Sequence, residues 1–417
     1  MTTQRTPDGK RRTYTCIDEC PPGPRIGWHP SHFQLLNDSK MTMLKITCCP
    51  SNKAIVKTTC RTLADNRVLE DFWLDGDTLD MDSAVVLGAS LSYNHTLRVL
   101  RLRNCKVDGT GAAMIFDSLR ETHVLEELYL EGNNLGHRAA VGLHEMLREN
   151  RGLKILHVTQ NPIGSDGIRL MCAGLQENTV LEELCLYGNS ITDHVSEVLG
   201  AMLLSNQSLR RLFLGQNDLD TGDLMDLFKY MEISGRIEEL TLSNIPLMIP
   251  AARSLALLME RNTKLHKLCL YGNNLGPRGS TLIGAGMLCS HTILDLRVVM
   301  NDIGDIGAIV MSKVLKKNNT LLQLDVTSNN ITEQGAHYLA GALKKNVTCG
   351  ELLIGGNRVG EELEPIHHYA KLNKAGRKLL TDRKAPIGVW AWALAKAAKD
   401  EDILFHFLQN KPDLIQR

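Results

Sequence analysis

Aromatic residues are scarce in this chain, at 5% of 417 residues. A core of normal density must then be filled by something else, and leucine recurs throughout. Neither sign of charge is in excess, with 47 Lys and Arg against 47 Asp and Glu. That balance argues against a dedicated nucleic-acid binder, whose affinity needs surplus cations to displace counterions. No apolar run approaches the roughly 20 residues that span a bilayer, so no membrane partner is expected. The first twelve residues are polar and lack the apolar stretch of a signal peptide. The cysteines number eleven, an odd count, and most fall at apolar positions. They read as reduced thiols, which places the chain in the cytoplasm, with the nucleus as the alternative.

What is abundant is repetition. The pattern L-x-x-L-x-L-x-x-N-x-L appears as LEELYLEGNNL from Leu125, LKILHVTQNPI from Leu153 and LEELCLYGNSI from Leu181. It returns as LRRLFLGQNDL from Leu209, LHKLCLYGNNL from Leu265 and LLQLDVTSNNI from Leu321. Eleven copies start at 69, 97, 125, 153, 181, 209, 237, 265, 293, 321 and 349, always 28 residues apart, and a degenerate copy starts at Met41. A fixed period of this kind is the signature of stacked structural units. The L-x-L segment predicts a short strand with alternate side chains facing in and out. The ninth position predicts an inward asparagine whose amide satisfies backbone groups at the bend. Eight copies have it: Asn133, Asn161, Asn189, Asn217, Asn273, Asn301, Asn329 and Asn357. Apolar residues four apart, such as Leu143 and Leu147, predict a helix in the second half. A helix is about 10 Å wide and strands stack at about 4.8 Å. Strands inside and helices outside therefore curve the stack.

These copies resemble leucine-rich repeats of the ribonuclease-inhibitor type, a group that includes Ran GTPase-activating proteins and the repeat regions of NOD-like receptors. The resemblance covers residues 69–376 strongly and 41–68 weakly. It implies an α/β horseshoe solenoid, with a parallel sheet on the concave side and helices on the convex side. The expected organisation is a polar, proline-containing arm at 1–40, the solenoid at 41–376 and a helical cap at 377–417. Trp390, Trp392, Phe405 and Phe407 are expected to cover the last repeat. A solenoid needs such caps because its end units would otherwise expose leucines. In the copy from Ile237 the ladder asparagine is replaced by Ile245, with Pro246 and Pro250 close behind. This reads as local drift, with a bend or partner site as the alternative.

Period two fixes which strand residues face outward. One outward column reads Trp73, Arg101, Tyr129, His157, Cys185, Phe213, Thr241, Cys269, Arg297, Asp325 and Leu353. The column two residues on includes Arg103, Tyr187 and Tyr271. Aromatics with arginine neighbours on one face are what a protein-binding patch looks like. The expected partner contacts are Trp73, Arg101, Arg103, Tyr129, His157, Tyr187, Phe213 and Tyr271, and cross-strand packing among the aromatics is the competing explanation. Acidic and basic residues also alternate at the two positions after the first leucine, as in Glu126-Glu127, Lys154, Glu182-Glu183 and Arg210-Arg211. That alternation reads as avoidance of like charges between neighbouring strands.

Chemistry-bearing motifs are weak. GGNRVGEE from Gly355 has a phosphate loop's glycines but no Lys-Ser/Thr. Cys16, Cys20, His29 and His32 are too crowded for an ordinary zinc finger and sit in a proline-rich stretch. No catalytic residue, cofactor or metal is expected. The basic cluster Lys371, Lys374, Arg377, Lys378, Arg383 and Lys384 reads as a solvated helix face, with a nuclear signal or a lipid contact as alternatives. Four N-x-[ST] sequons, at Asn94, Asn206, Asn318 and Asn346, fall at helix ends, where asparagine is expected in the left-handed conformation. The function expected is a monomeric, non-enzymatic scaffold for a protein partner on the concave face. The alternative, a GTPase activator for a small GTPase, rests on resemblance to the Ran activators. Their acidic tail is absent here, and none of their catalytic residues is assigned to this sequence.

Overall fold

In the computed structural model each repeat folds as a strand followed by a helix. The structure describes residues 2–5, 11–17, 42–47, 53–192, 194–381 and 385–411. Cys20, His29, His32, Arg383 and Lys384 lie outside the described residues. The chain divides into two compact units, Met1–Tyr230 and Met231–Arg417.

In the first unit the strands are β1 (Thr2–Arg5), β2 (Arg11–Ile17), β3 (Met43–Thr47), β4 (Asp71–Asp75) and β5 (Val99–Arg103). They continue as β6 (Glu127–Tyr129), β7 (Ile155–His157), β8 (Glu183–Cys185) and β9 (Arg211–Phe213). The helices are α1 (Lys53–Thr62), α2 (Met81–Tyr93), α3 (Gly109–Leu119), α4 (Gly136–Glu149), α5 (Gly164–Glu177), α6 (Ser196–Ser205) and α7 (Thr221–Ser234), the last containing the division. β1 pairs antiparallel with β2, and β2 to β9 are parallel in chain order.

The second unit holds β10 (Glu239–Thr241), β11 (Lys267–Cys269), β12 (Asp295–Arg297), β13 (Gln323–Asp325) and β14 (Glu351–Leu353), again parallel and in order. Its helices are α8 (Ile249–Arg261), α9 (Gly276–Cys289), α10 (Gly304–Lys317), α11 (Glu333–Leu343), α12 (Leu363–Lys374), α13 (Ile387–Ala397) and α14 (Glu401–Asn410). This is the α/β leucine-rich-repeat solenoid architecture, with an open sheet.

The register is the repeat itself. Leu128, Leu156, Leu184 and Leu212 stand opposite one another on β6 to β9, and all four are fully buried. Leu143 and Leu147 of α4, in the helix layer, are equally buried. Fully burying a leucine contributes roughly 1.5–3 kcal/mol, so the identical rungs supply most of the driving force. The helices come close because small residues face the neighbouring unit. A Cβ on Gly167 would lie 2.5 Å from Ile163 Cγ2 and 3.0 Å from Ala140 Cβ.

Two asparagine ladders run through the stack. In the expected one, Asn217 Nδ2 donates to Leu186 O at 2.9 Å, and its Oδ1 accepts from the N–H groups of Asn189 (2.9 Å) and Ile191 (3.1 Å) in the preceding repeat. Asn133, Asn161, Asn189, Asn273, Asn301, Asn329 and Asn357 make the same bond to the carbonyl 31 residues back. Ile245 is buried, and its N–H donates to Asn273 Oδ1 at 3.0 Å. Pro250 sits in the first turn of α8, where its missing donor costs nothing. β10 still pairs with β11 in the common register.

The second ladder was not foreseen. The helix-end asparagines are extended, not left-handed: φ is −82° at Asn94, −67° at Asn206 and −82° at Asn318. The extended backbone lets the side chain turn inward. Asn206 Nδ2 donates to Leu175 O (2.7 Å) and Asn178 O (2.9 Å), while its Oδ1 accepts from Ser208 and Leu209 N–H. These amides are buried in the folded chain, where each serves the ladder.

In the first clear repeats the expected ladder is carried by other residues. The Cys105 thiol donates to Leu74 O at 3.2 Å, in the place of an asparagine amide. Asp77 occupies the equivalent position one repeat earlier. Its Oδ1 accepts from Thr78 N–H at 2.8 Å, but Oδ2 is buried without a partner. Burial pushes its carboxyl above the ordinary range. A raised folded value means that stability is fully present below the unfolded pKa and is lost as pH rises through the folded one. Asp77→Asn restores a donor and removes that loss. It is expected to stabilise the chain by about 1–2 kcal/mol at pH 8, and less at pH 4. Urea melts at the two pH values check this. A variant no more stable than wild type at pH 8 contradicts it.

The cap differs from expectation in two respects. Trp390 and Phe407 are buried with Leu372, Ala393 and Ile403, but Trp392 and Phe405 are 52% and 66% exposed. On α13 and α14 only one stripe can face α12 at helical spacing, and these two residues lie off it. Arg377, expected in a solvated cluster, is buried. It donates to Leu343 O (2.7 Å) and to Asn346 O, and stacks on Tyr369 at 5.3 Å. With Asn373, whose Nδ2 donates to Asn346 O and Cys349 O, it closes the second ladder, where no further asparagine follows. Removal from water holds the guanidinium below its ordinary pKa.

Candidate functional site

The outward faces of β3 to β9 form one connected belt of side chains. Lys45 Nζ lies 3.9 Å over the Trp73 ring. Arg101 lies between Trp73 and Tyr129, with Cζ 5.8 Å and 4.8 Å from the two ring centroids. Tyr129 meets His157 edge-on at 4.7 Å, and His157 meets Phe213 edge-on at 6.3 Å. Strand stacking at about 4.8 Å brings neighbouring rungs together, and on β8 the column holds the small Cys185, across which His157 and Phe213 meet.

Carboxylates hold the belt in place. Asp71 accepts from Arg101. Glu127 accepts from the Tyr129 hydroxyl at 3.0 Å and lies 3.6 Å from Arg101. Glu183 binds His157 Nε2 at 2.6 Å through one oxygen and accepts from Arg211 Nε through the other. Burial works against the Glu183 charge, but the bonds from His157 and Arg211 outweigh it and hold the carboxyl below its ordinary range. Burial, and then the Glu127 charge, push the Tyr129 hydroxyl up, so it stays a neutral donor.

Sequence reasoning missed these carboxylates as part of the face. It grouped Glu126-Glu127 and Glu182-Glu183 as one alternating stripe. The strand separates the two members of each pair. Glu126 sits between Arg98 and Lys154 outside the belt, and the Lys154 bond first, then Arg98, lowers its pKa. Glu127, Glu183 and Arg211 stand on the aromatic face. Period two, run one step further toward the N-terminus, identifies them.

The expected contact residues divide between the units. Trp73, Arg101, Tyr129, His157 and Phe213 belong to the belt, and Tyr187 lies half-buried just after β8. Arg103 is exposed, 3.6 Å from Glu131. Tyr271 is in the second unit, 37% exposed, its hydroxyl 2.8 Å from Met300 Sδ. It is the most exposed aromatic of the expected set. The others are half-buried, and Trp73, Tyr129 and Phe213 pack with Arg101 and His157, which corrects the picture of bare rings facing solvent. Cys185 and Cys269 lie in the same column with thiol pKa values raised by burial, so they are poor nucleophiles.

The arrangement offers a surface of cross-braced side chains. Every acid on the belt is tied to a cation or a hydroxyl, and no helix among the described residues is long and apolar enough to cross a membrane. The family model for the leucine-rich repeat matches the chain at residues 93–116, 149–172, 289–312 and 317–340. Together with the repeated strand-helix units this supports a leucine-rich-repeat protein. A search of curated proteins finds no match.

Proposed function

We propose that this leucine-rich-repeat chain is a non-enzymatic scaffold of the cytoplasm that holds one protein partner on the strand face of its first unit. The observation that carries the reading is the belt from Trp73 to Phe213. Trp, Tyr and Arg are the side chains that dominate binding energy at protein interfaces. Here the arginine between the rings and the carboxylates beside them hold each ring in place before any partner arrives. Such pre-organisation reduces the entropy lost on association. The reading takes the chain as a monomer and requires no cofactor or metal. The GTPase-activator reading rests on repeat type alone, with no residue assigned to it.

The experiment is affinity capture from the native cell extract by the full chain, beside a chain carrying Tyr187→Ala and Phe213→Ala. A partner held by the wild type and released by the variant supports the scaffold. Acceleration of GTP hydrolysis by a small GTPase on addition of the purified chain would sink it.

A further inference from the structure

We infer that the C-terminal cap carries a second surface, which docks on an anionic lipid bilayer. The ends of α12 and α13 and the start of α14 enclose an open groove of about 460 Å³, floored by Ala375 and Ile403. Lys371, Lys374, Lys396 and Lys399 converge on it. The whole chain has no net charge, and elsewhere its cations alternate with carboxylates, as Arg98 and Lys154 do around Glu126. Here four ammonium groups share one carboxylate in the groove, Asp400, which is 3.1 Å from Lys371. Lys374 has Glu351 only at 4.0 Å. Among the described residues Lys396 and Lys399 form no ion pair.

The apolar partner of this charge lies on the same helix. Val389 and Trp392 are 39% and 52% exposed. With Lys396 they fall at i, i+3 and i+7 of one face, two apolar residues leading into a cation, and Lys399 follows in the turn just after the helix. Lys396 Nζ is 3.9 Å over the Trp392 ring. That ring also stands 3.6 Å from where a Gly376 Cβ would be, next to the end of α12. Lysines lay their stems on apolar surface and direct their ammonium groups at phosphates. An indole sits at the headgroup level of a bilayer, and an amphipathic face with basic and aromatic residues lies in that interface. An acidic peptide or a nucleic acid would meet the lysines but leave Val389 in water. A bilayer covers both kinds of group. Glu361, Glu362, Glu364 and Asp402 line the adjoining groove that shares Lys371 and Asp400, so the cationic surface is the part formed by Lys374, Lys396 and Lys399.

Sedimentation of the full chain with vesicles tests the inference, using phosphatidylcholine alone and phosphatidylcholine mixed with phosphatidylserine. Binding is expected to the mixed vesicles only, and to fall as salt screens the lysines. The pair Lys396→Glu and Lys399→Glu should weaken binding about tenfold or more, since each lysine near an anionic surface adds to the attraction. Trp392→Ala should weaken it as well, and melting curves verify that all three substitutions leave the exposed face folded. A wild-type chain that stays in solution with both vesicles overturns the proposal. So does equal binding to neutral vesicles. Tighter binding to a single-stranded oligonucleotide or to polyglutamate, with Trp392 dispensable, also overturns it.

Discussion

A chain ending at residue 376 is expected to melt well below the full chain or to aggregate. The cut removes Trp390 and Phe407, which are buried against Leu372 and Ala375. It also removes Arg377, so Leu343 O and Asn346 O lose a charged donor inside the fold. Hydrogen bonds to charged groups contribute about 1.5–3 kcal/mol, and stranding a buried acceptor adds its desolvation cost. Within the full chain, Phe407→Ala is expected to cost about 3–5 kcal/mol. Phe405→Ala, two residues away and exposed, should change stability by under about 0.5 kcal/mol. Urea titration of the two point variants and scanning calorimetry of the truncated chain measure this. A truncated chain that remains monomeric with an unchanged melting temperature contradicts the cap.

The second large effect concerns the strand face. Tyr187→Ala with Phe213→Ala should reduce affinity for the captured partner by more than about a hundredfold. Aromatic anchors at the centre of an interface often cost about 2 kcal/mol or more each when truncated. Phe213 also supports the His157 ring at 6.3 Å, so its loss loosens the belt beside it. The stability cost should be much smaller, because both side chains are only half-buried. The paired readings, affinity by titration and stability by melting, separate a binding role from a folding role. A double variant that keeps full affinity, or that simply unfolds, contradicts the assignment of this face.

Much of the architecture was legible because one rule repeats without a break. A 28-residue step with two inward leucines fixes strand, register and helix together. The ladder of Asn133 to Asn357 followed from the same period. What the pattern concealed were positions where a residue type has two structural uses. Helix-end asparagine suggested a left-handed cap, yet Asn94 and Asn206 are extended and tie neighbouring repeats together. Arg377 looked like one more surface cation because its carbonyl partners lie 34 and 31 residues back in the chain. Glu127 and Glu183 looked structural because alternation along the chain and alternation across the sheet coincide. Which member of an adjacent pair faces the belt depends on strand phase, not on composition. Asp77 and Cys105 broke the asparagine rule without breaking the shape, which is why no motif marked them.

Hydroxyl-radical footprinting of the full chain, alone and with its captured partner, tests the central claim most directly, because it reads side-chain accessibility residue by residue. Trp73, Tyr129, Tyr187 and Phe213 lie on the strand face, while Tyr93 (69% exposed) and Met114 (39% exposed) lie on the helix side. The account predicts that the partner lowers oxidation of the first four and leaves Tyr93 and Met114 unchanged. Protection of Tyr93 and Met114, with the four strand-face residues oxidised as in the free chain, would contradict it.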